Sequence, residues 1–174
     1  GWRTGLAVGF LAGLLTWETA RSFFPLFGRT ADRVRHGALN LALGIFNAVA
    51  VGLVFTGLWL GVMQGAAARG IGTLNWLHLP AAARFAVALL LLDGWMYAWH
   101  RLNHRVPFLW RFHRLHHADR AMDVTTASRF HTVEIVLSAL LRIPVLLVIG
   151  CNVGELALYE LMLFAVVQFH HANI

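Results

Sequence analysis

The sequence predicts an all-α protein: a polytopic membrane helical bundle with a histidine cluster on its cytoplasmic face and a C-terminal helical hairpin. Three observations carry that prediction. Hydrophobic residues make up 59% of the 174 and charged residues only 13%, too few to cover a soluble globule of one-domain size. The mean hydropathy is +0.65, and the apolar residues gather into blocks long enough to cross a hydrocarbon core of about 30 Å. Seven of the ten histidines fall in two short windows, 100–117 and 170–171. The same composition excludes disordered and collagen-like chains. The single cysteine, Cys151, can form neither an internal disulfide nor a thiolate metal cluster.

The first apolar block runs from about Leu6 to Phe27, with Glu18, Arg21 and Pro25 marking where its last turns leave the lipid. The segment GRTADRVRHG, with Arg29, Arg33 and Arg35, reads as a solvent-side loop. A second block, about Ala38 to Met63, contains no charged residue and is the strongest span. Gln64 to Pro80 is a short connection in which Trp76 places Leu74 to His78 at the interface. The third block, about Ala81 to Trp99, leads into HRLNHRVPFLWRFHRLHHADR with Arg101, Arg105, Arg111, Arg114 and Arg120. Counting spans puts both arginine-dense segments on one side, the cytoplasmic one, and in a bacterium that means the inner membrane. Two apolar runs follow, Val133 to Ile149 and Val153 to Phe169, separated by Gly150, Cys151 and Asn152. They read as a hairpin that enters the bilayer and returns, bringing His170 and His171 back to the side of the other histidines.

The net charge of +6 comes from fourteen arginines against eight acids, with no lysine. These arginines flank apolar blocks instead of forming one basic face, so no nucleic-acid partner is expected.

Asp93, Tyr97, His100 and His104 share one helical stripe, because spacings of four, seven and eleven return to nearly the same angle. His113, His116 and His117 repeat the theme at i, i+3 and i+4, and Pro107 supplies a bend that folds one group over the other. Imidazoles suit iron, zinc, copper or nickel and not calcium or magnesium. Five such ligands exceed one tetrahedral zinc, so two metals is the natural count. Asp93 and Tyr97 are candidates to hold the ligating rings, since metal-bound imidazoles usually donate their second N–H to such a group.

The ordered motifs His100-Arg101-Leu102-Asn103-His104, His113-Arg114-Leu115-His116-His117 and Phe169-His170-His171-Ala172-Asn173 resemble the membrane fatty acid hydroxylase and sterol desaturase superfamily. Trp110, Thr126, Arg129, His131 and Glu134 strengthen the likeness, which runs from about Asp93 to Asn173. The resemblance implies one integral membrane hydroxylase-like domain over 1–174 with its histidine-motif catalytic region in 93–173. It implies a non-haem diiron centre on the cytoplasmic face, O2 as co-substrate, and an external reductase, ferredoxin or cytochrome as electron donor. The implied metal ligands are His100, His104, His113, His116, His117 and His171. Further candidates, as ligands or as groups behind the ligands, are His170, His131, Asp93, Tyr97, Glu134 and Asn173. Thr132 stands where the family pattern usually has proline, and capping a helix is an equal reading of His131. A further H-x-x-H-H box is expected beyond Ile174, so the chain is expected to be incomplete at its C-terminus.

The expected reaction is oxygen-dependent hydroxylation, or desaturation, of a membrane lipid such as a fatty acyl, sterol or isoprenoid chain. Such C–H bonds are inert to acid–base chemistry and need a redox metal. One alternative is a zinc-dependent membrane lipid hydrolase. Another is a non-enzymatic metal or haem carrier, in which haem would use only two of the histidines. No G-x-G-x-x-G turn provides for a nucleotide, so electrons must come from outside the chain.

Overall fold

The fold is known from a computed structural model that describes residues 2–174. The described residues form α-helices joined by short connections, without a β-strand: α1 (Trp2–Ala20), α2 (Thr30–Ala68), α3 (Thr73–Trp76), α4 (Ala81–Arg105), α5 (Pro107–His117), a 3₁₀ turn at Val124–Ser128, α6 (Thr132–Ile149) and α7 (Val153–His171). Four stretches are long and apolar enough to cross a membrane: Thr30–Trp76, Ala81–Arg105, Thr132–Ile149 and Val153–His171. Large apolar side chains such as Leu53, Leu90 and Val148 are exposed around the bundle, as expected where lipid is the solvent.

The N-terminal third departs from the sequence expectation. α1 stops at Ala20, seven residues short of Phe27, and is not one of the four stretches. Pro25 disfavours helical geometry at Phe24, and the amides of Phe23 and Phe24 bond to Asn173 at the chain's end instead. The expected arginine loop is mostly helix: α2 starts at Thr30 and runs 39 residues, about 58 Å. No proline interrupts it, and Asp32 in its first turn complements the helix dipole. At that length α2 is longer than a hydrocarbon core is thick, and its first turns carry His36 to Asp119 and Asp123 and Asn40 to Thr125 of the 3₁₀ turn. There Gly44 lies so close to Ser128 that a Cβ would sit 2.7 Å from the serine Cβ.

Pro107 behaves as its chemistry requires. Val106 is extended, Pro107 opens α5 at its first position, and the chain bends there so that α5 folds back onto α4.

The chain reverses at Gly150, which takes a left-handed conformation (φ 70°) to end α6, while Asn152 and Glu155 form a reciprocal capping box for α7. After this reversal the two helices pack chiefly on other elements. α6 lies mainly along α2, α7 lies along α1, and α4 touches both. Arg142 on α6 donates to Glu160 on α7; each lies nine residues from Cys151 at the turn, so helical rise alone puts the two at similar depth. Arg3 adds a second contact to Glu160 at 3.5 Å, and the Arg142 guanidinium lies over Trp59 at 4.8 Å.

At this reversal, Gly72 (φ 107°) crosses Gly150 so closely that a Cβ would approach the Gly150 Cα to 2.5 Å. Arg84 fastens the same end. Its guanidinium donates to Glu155 (2.8 Å), Gly150 O (2.9 Å), Asn75 Oδ1 (3.3 Å) and Leu74 O. The buried core at this end consists of Met63, Leu74, Ala88, Leu92, Leu146, Ile149, Cys151, Leu156 and Tyr159.

Candidate metal centre

The end of the bundle opposite Gly150 gathers the histidines. The last two turns of α4 carry His100 and His104, and α5 folds back to present His113 and His117 to them. One ring nitrogen from each of these four lies within 4.8 Å of the others. The Nε2 atoms form a chain: His100 to His104 at 3.1 Å, His104 to His117 at 3.2 Å, and His117 to His113 at 3.2 Å. Beside this group His116 Nε2 faces His171 Nε2 at 3.1 Å. The His113 and His116 ring centroids are 5.8 Å apart, so the two groups adjoin.

Hydrogen bonding alone cannot satisfy this arrangement. A neutral imidazole nitrogen has either one proton or one in-plane lone pair, so it makes one directed bond. His104 and His117 each present Nε2 to two other nitrogens. His113 Nδ1 faces Glu134 Oε1 at 2.8 Å, which assigns the proton to Nδ1 and turns the Nε2 lone pair toward the cluster. His171 Nδ1 faces the Val167 carbonyl at 2.8 Å, with the same consequence for its Nε2. A cation resolves the conflict. Two nitrogens each about 2.1 Å from one metal are separated by about 3.0–3.4 Å, which brackets the observed spacings. The donor set therefore fits an imidazole-preferring transition metal.

Electrostatics keeps these rings ready to bind. Burial, reinforced by the neighbouring His171, His117 and His113, pulls the His116 pKa down to about 4, and the His117 value is lowered by burial and by His113. Both are neutral near pH 7, as ligation requires. His116 also stacks on Phe130, centroids 4.4 Å apart and planes within 6°, which fixes its ring.

The remaining candidates are placed elsewhere. Glu134 alone stands directly behind a clustered ring. His131 caps α6, its Nδ1 accepting from the Val133 amide at 3.1 Å. His170, next to His171 in the last turn of α7, is exposed beside Phe169. The Tyr97 hydroxyl accepts from Arg101 at 2.9 Å and is exposed, and Asp93 is exposed as well. These two residues share the histidines' stripe but lie one to three turns before them along α4. Asn173 is a tie: its side chain exchanges two hydrogen bonds with the Phe24 backbone, at 2.9 and 2.8 Å.

The floor under the cluster escapes the sequence expectation. Asp119 and Asp123 bracket the loop after α5. Asp119 accepts from Thr126 at 2.7 Å, and Asp123 accepts from the amide and hydroxyl of Thr125 at 2.8 and 2.6 Å. Asn40 reaches in from α2 to Thr125 at 3.1 Å, and Arg129 crosses to the Leu115 carbonyl at 3.2 Å. Glu18, buried near the end of α1, bonds to Arg33 and to two backbone amides. A lone acid in an apolar helix is the one signal that could have singled it out.

Comparison with known proteins agrees with this geometry. The chain is 36% identical over 69 residues to the ornithine lipid hydroxylase OlsE of Rhizobium tropici, covering 39% of this chain and 21% of that protein. It is 36% identical over 59 residues to the cholesterol 25-hydroxylase of Mus musculus, covering 26% of this chain and 20% of that one. The matches thus span about a fifth of the length of these relatives. No solved structure matches the chain. The fatty acid hydroxylase profile matches residues 85–174, the half that supplies all six clustered histidines and Glu134, and the chain belongs to that family.

Proposed function

We propose that this chain forms the core of an integral membrane lipid hydroxylase whose clustered histidines hold two non-haem irons. The observation that carries the reading is the convergence of six imidazoles into a group of four and a group of two at the end of apolar helices. His100, His104, His113 and His117 would hold one iron, and His116 and His171 would contribute to the second. When bound, such a centre supplies reductive activation of O2: one oxygen atom enters a substrate C–H bond and the other leaves as water, with two electrons and two protons from a donor. Glu134 and the Val167 carbonyl keep the protons on Nδ1 of His113 and His171, so their Nε2 lone pairs face inward. Phe130 stacks on His116, and Trp110 packs beside His104 and His117, which orients these rings.

Two relatives named as lipid hydroxylases favour a lipid substrate reached from the bilayer. The exposed arginines of α5 and its flanks support a cytoplasmic orientation of this end and would suit an acidic electron-donor protein. A zinc hydrolase is less favoured, since Glu134 is engaged behind His113 and is not free to act as base toward a metal-bound water.

The test is metal analysis with an optical spectrum of the full-length protein in detergent, followed by O2-dependent oxidation of membrane lipids. Two irons per chain without a haem band, with iron content and lipid oxidation both falling in His104→Ala and His116→Ala, support the reading. Iron content unchanged in both variants, zinc in its place, or a haem spectrum rejects it.

A further inference from the structure

The second group of histidines is held from outside the family-matched half. His171 ends α7, and the chain then runs through Ala172 to Asn173 in extended form. Asn173 is gripped on both edges. Its amide donates to Glu18 Oε2 at 3.0 Å, its carbonyl accepts from the Phe23 amide at 2.9 Å, and its side chain pairs with the Phe24 backbone. The same Glu18 Oε2 accepts from the Val124 amide at 2.9 Å, which begins the 3₁₀ turn packed against α7. Glu18 Oε1 takes Arg33 of α2 at 3.1 Å. One buried carboxylate, 2% exposed, thus joins α1, α2, the 3₁₀ turn and the residue two beyond His171.

We infer that Glu18, with the Phe24–Asn173 strap, is a positioning residue that sets His171 opposite His116 and so controls occupancy of the second metal position. The inference rests on the two-iron reading above. The four-histidine group has its own frame, since α4 and α5 pack on each other and Glu134 anchors His113. Among the described residues, the end of α7 is held by the His171–Val167 carbonyl bond, by a 3.5 Å contact from Gln168 to Ser128 of the 3₁₀ turn, and by the grip on Asn173. Loosening that grip frees the last turn of α7, where an unrestrained helix end frays. Glu18 serves two backbone amides through one oxygen and a guanidinium through the other, so its loss releases three elements at once.

The experiment is anaerobic titration of the full-length protein in detergent with ferrous iron, read as stoichiometry and as the two dissociation constants against a competing chelator. Glu18→Ala is expected to bind the first iron as wild type does and the second about 10- to 100-fold more weakly. Glu18→Gln, which keeps an acceptor for the amides, should recover most of that loss. Asn173→Ala, which cuts the strap without opening the interior, should show a smaller loss at the second iron only, and it serves where Glu18→Ala does not fold. Wild-type binding of both irons in Glu18→Ala or, failing that variant, in Asn173→Ala overturns the inference. Equal weakening of both irons overturns it too, because that is the mark of general loosening. His171→Ala separates this from the reading beneath it: if that variant binds two irons as wild type does, the second metal position itself is wrongly assigned.

Discussion

Replacing Glu134 with alanine should weaken iron binding by the four-histidine group while leaving α6 in place. Glu134 Oε1 is the only partner of His113 Nδ1 among the described residues, and both side chains are buried, so water cannot easily take over the bond. A hydrogen bond to a charged group contributes about 1.5–3 kcal/mol. At about 1.4 kcal/mol per tenfold, that corresponds to a loss of about 10- to 100-fold in affinity, in line with other residues that orient metal-bound imidazoles. Without the carboxylate the proton is free to move to Nε2, which removes the lone pair from the metal side. Glu134→Gln is the informative companion. Its amide oxygen still accepts from Nδ1–H, so the tautomer is kept and only the charge is lost, and the affinity should fall by less than in alanine. The assay is the ferrous-iron titration described above, with circular dichroism to show that the helices persist. Wild-type affinity in Glu134→Ala, or equal losses in the alanine and glutamine variants, would refute the argument from tautomer control.

Three further outcomes follow from other parts of the fold. Arg84→Ala leaves the Glu155 carboxylate and two carbonyls without their guanidinium at the Gly72–Gly150 crossing; it should cost about 3–5 kcal/mol, read as a lower thermal midpoint in detergent, and an unchanged midpoint would mean the hub is dispensable. Arg142→Leu alone should destabilise by a similar amount because Glu160 loses its main partner, whereas Arg142→Leu combined with Glu160→Leu should be closer to wild type; additive losses in the double variant would contradict the direct pair. In a background with Cys151 replaced by alanine, cysteines at Gly70 and at Arg111 should react with a membrane-impermeant thiol reagent from opposite sides, and labelling of both from one side would reject the proposed orientation.

Much of the fold was legible because its cause is local. Lipid-compatible blocks, the bend at Pro107, the reversal at Gly150 and the i, i+3, i+4 spacing of His113, His116 and His117 depend on residues close in sequence. The reciprocal depth of Arg142 and Glu160 was readable for the same reason, since it needs only a turn position and the helical rise. The first block misled because hydropathy does not mark where Pro25 and a distant acceptor stop a helix. The arginine segment misled because charge marks the side of a membrane and not the absence of a helix.

What the sequence by itself determined was the inventory: all-α architecture, apolar spans, and six histidines whose grouping implies a metal. Only the tertiary structure decided how they divide. The fold of α5 onto α4 makes one set of four, the end of α7 makes a set of two, Glu134 rather than Asp93 or Tyr97 stands behind a ring, and Glu18 grips the residue beyond His171. The physical reason is that a ring's neighbours are set by where helices distant in sequence cross, while spacing along one helix specifies only which face a residue shares.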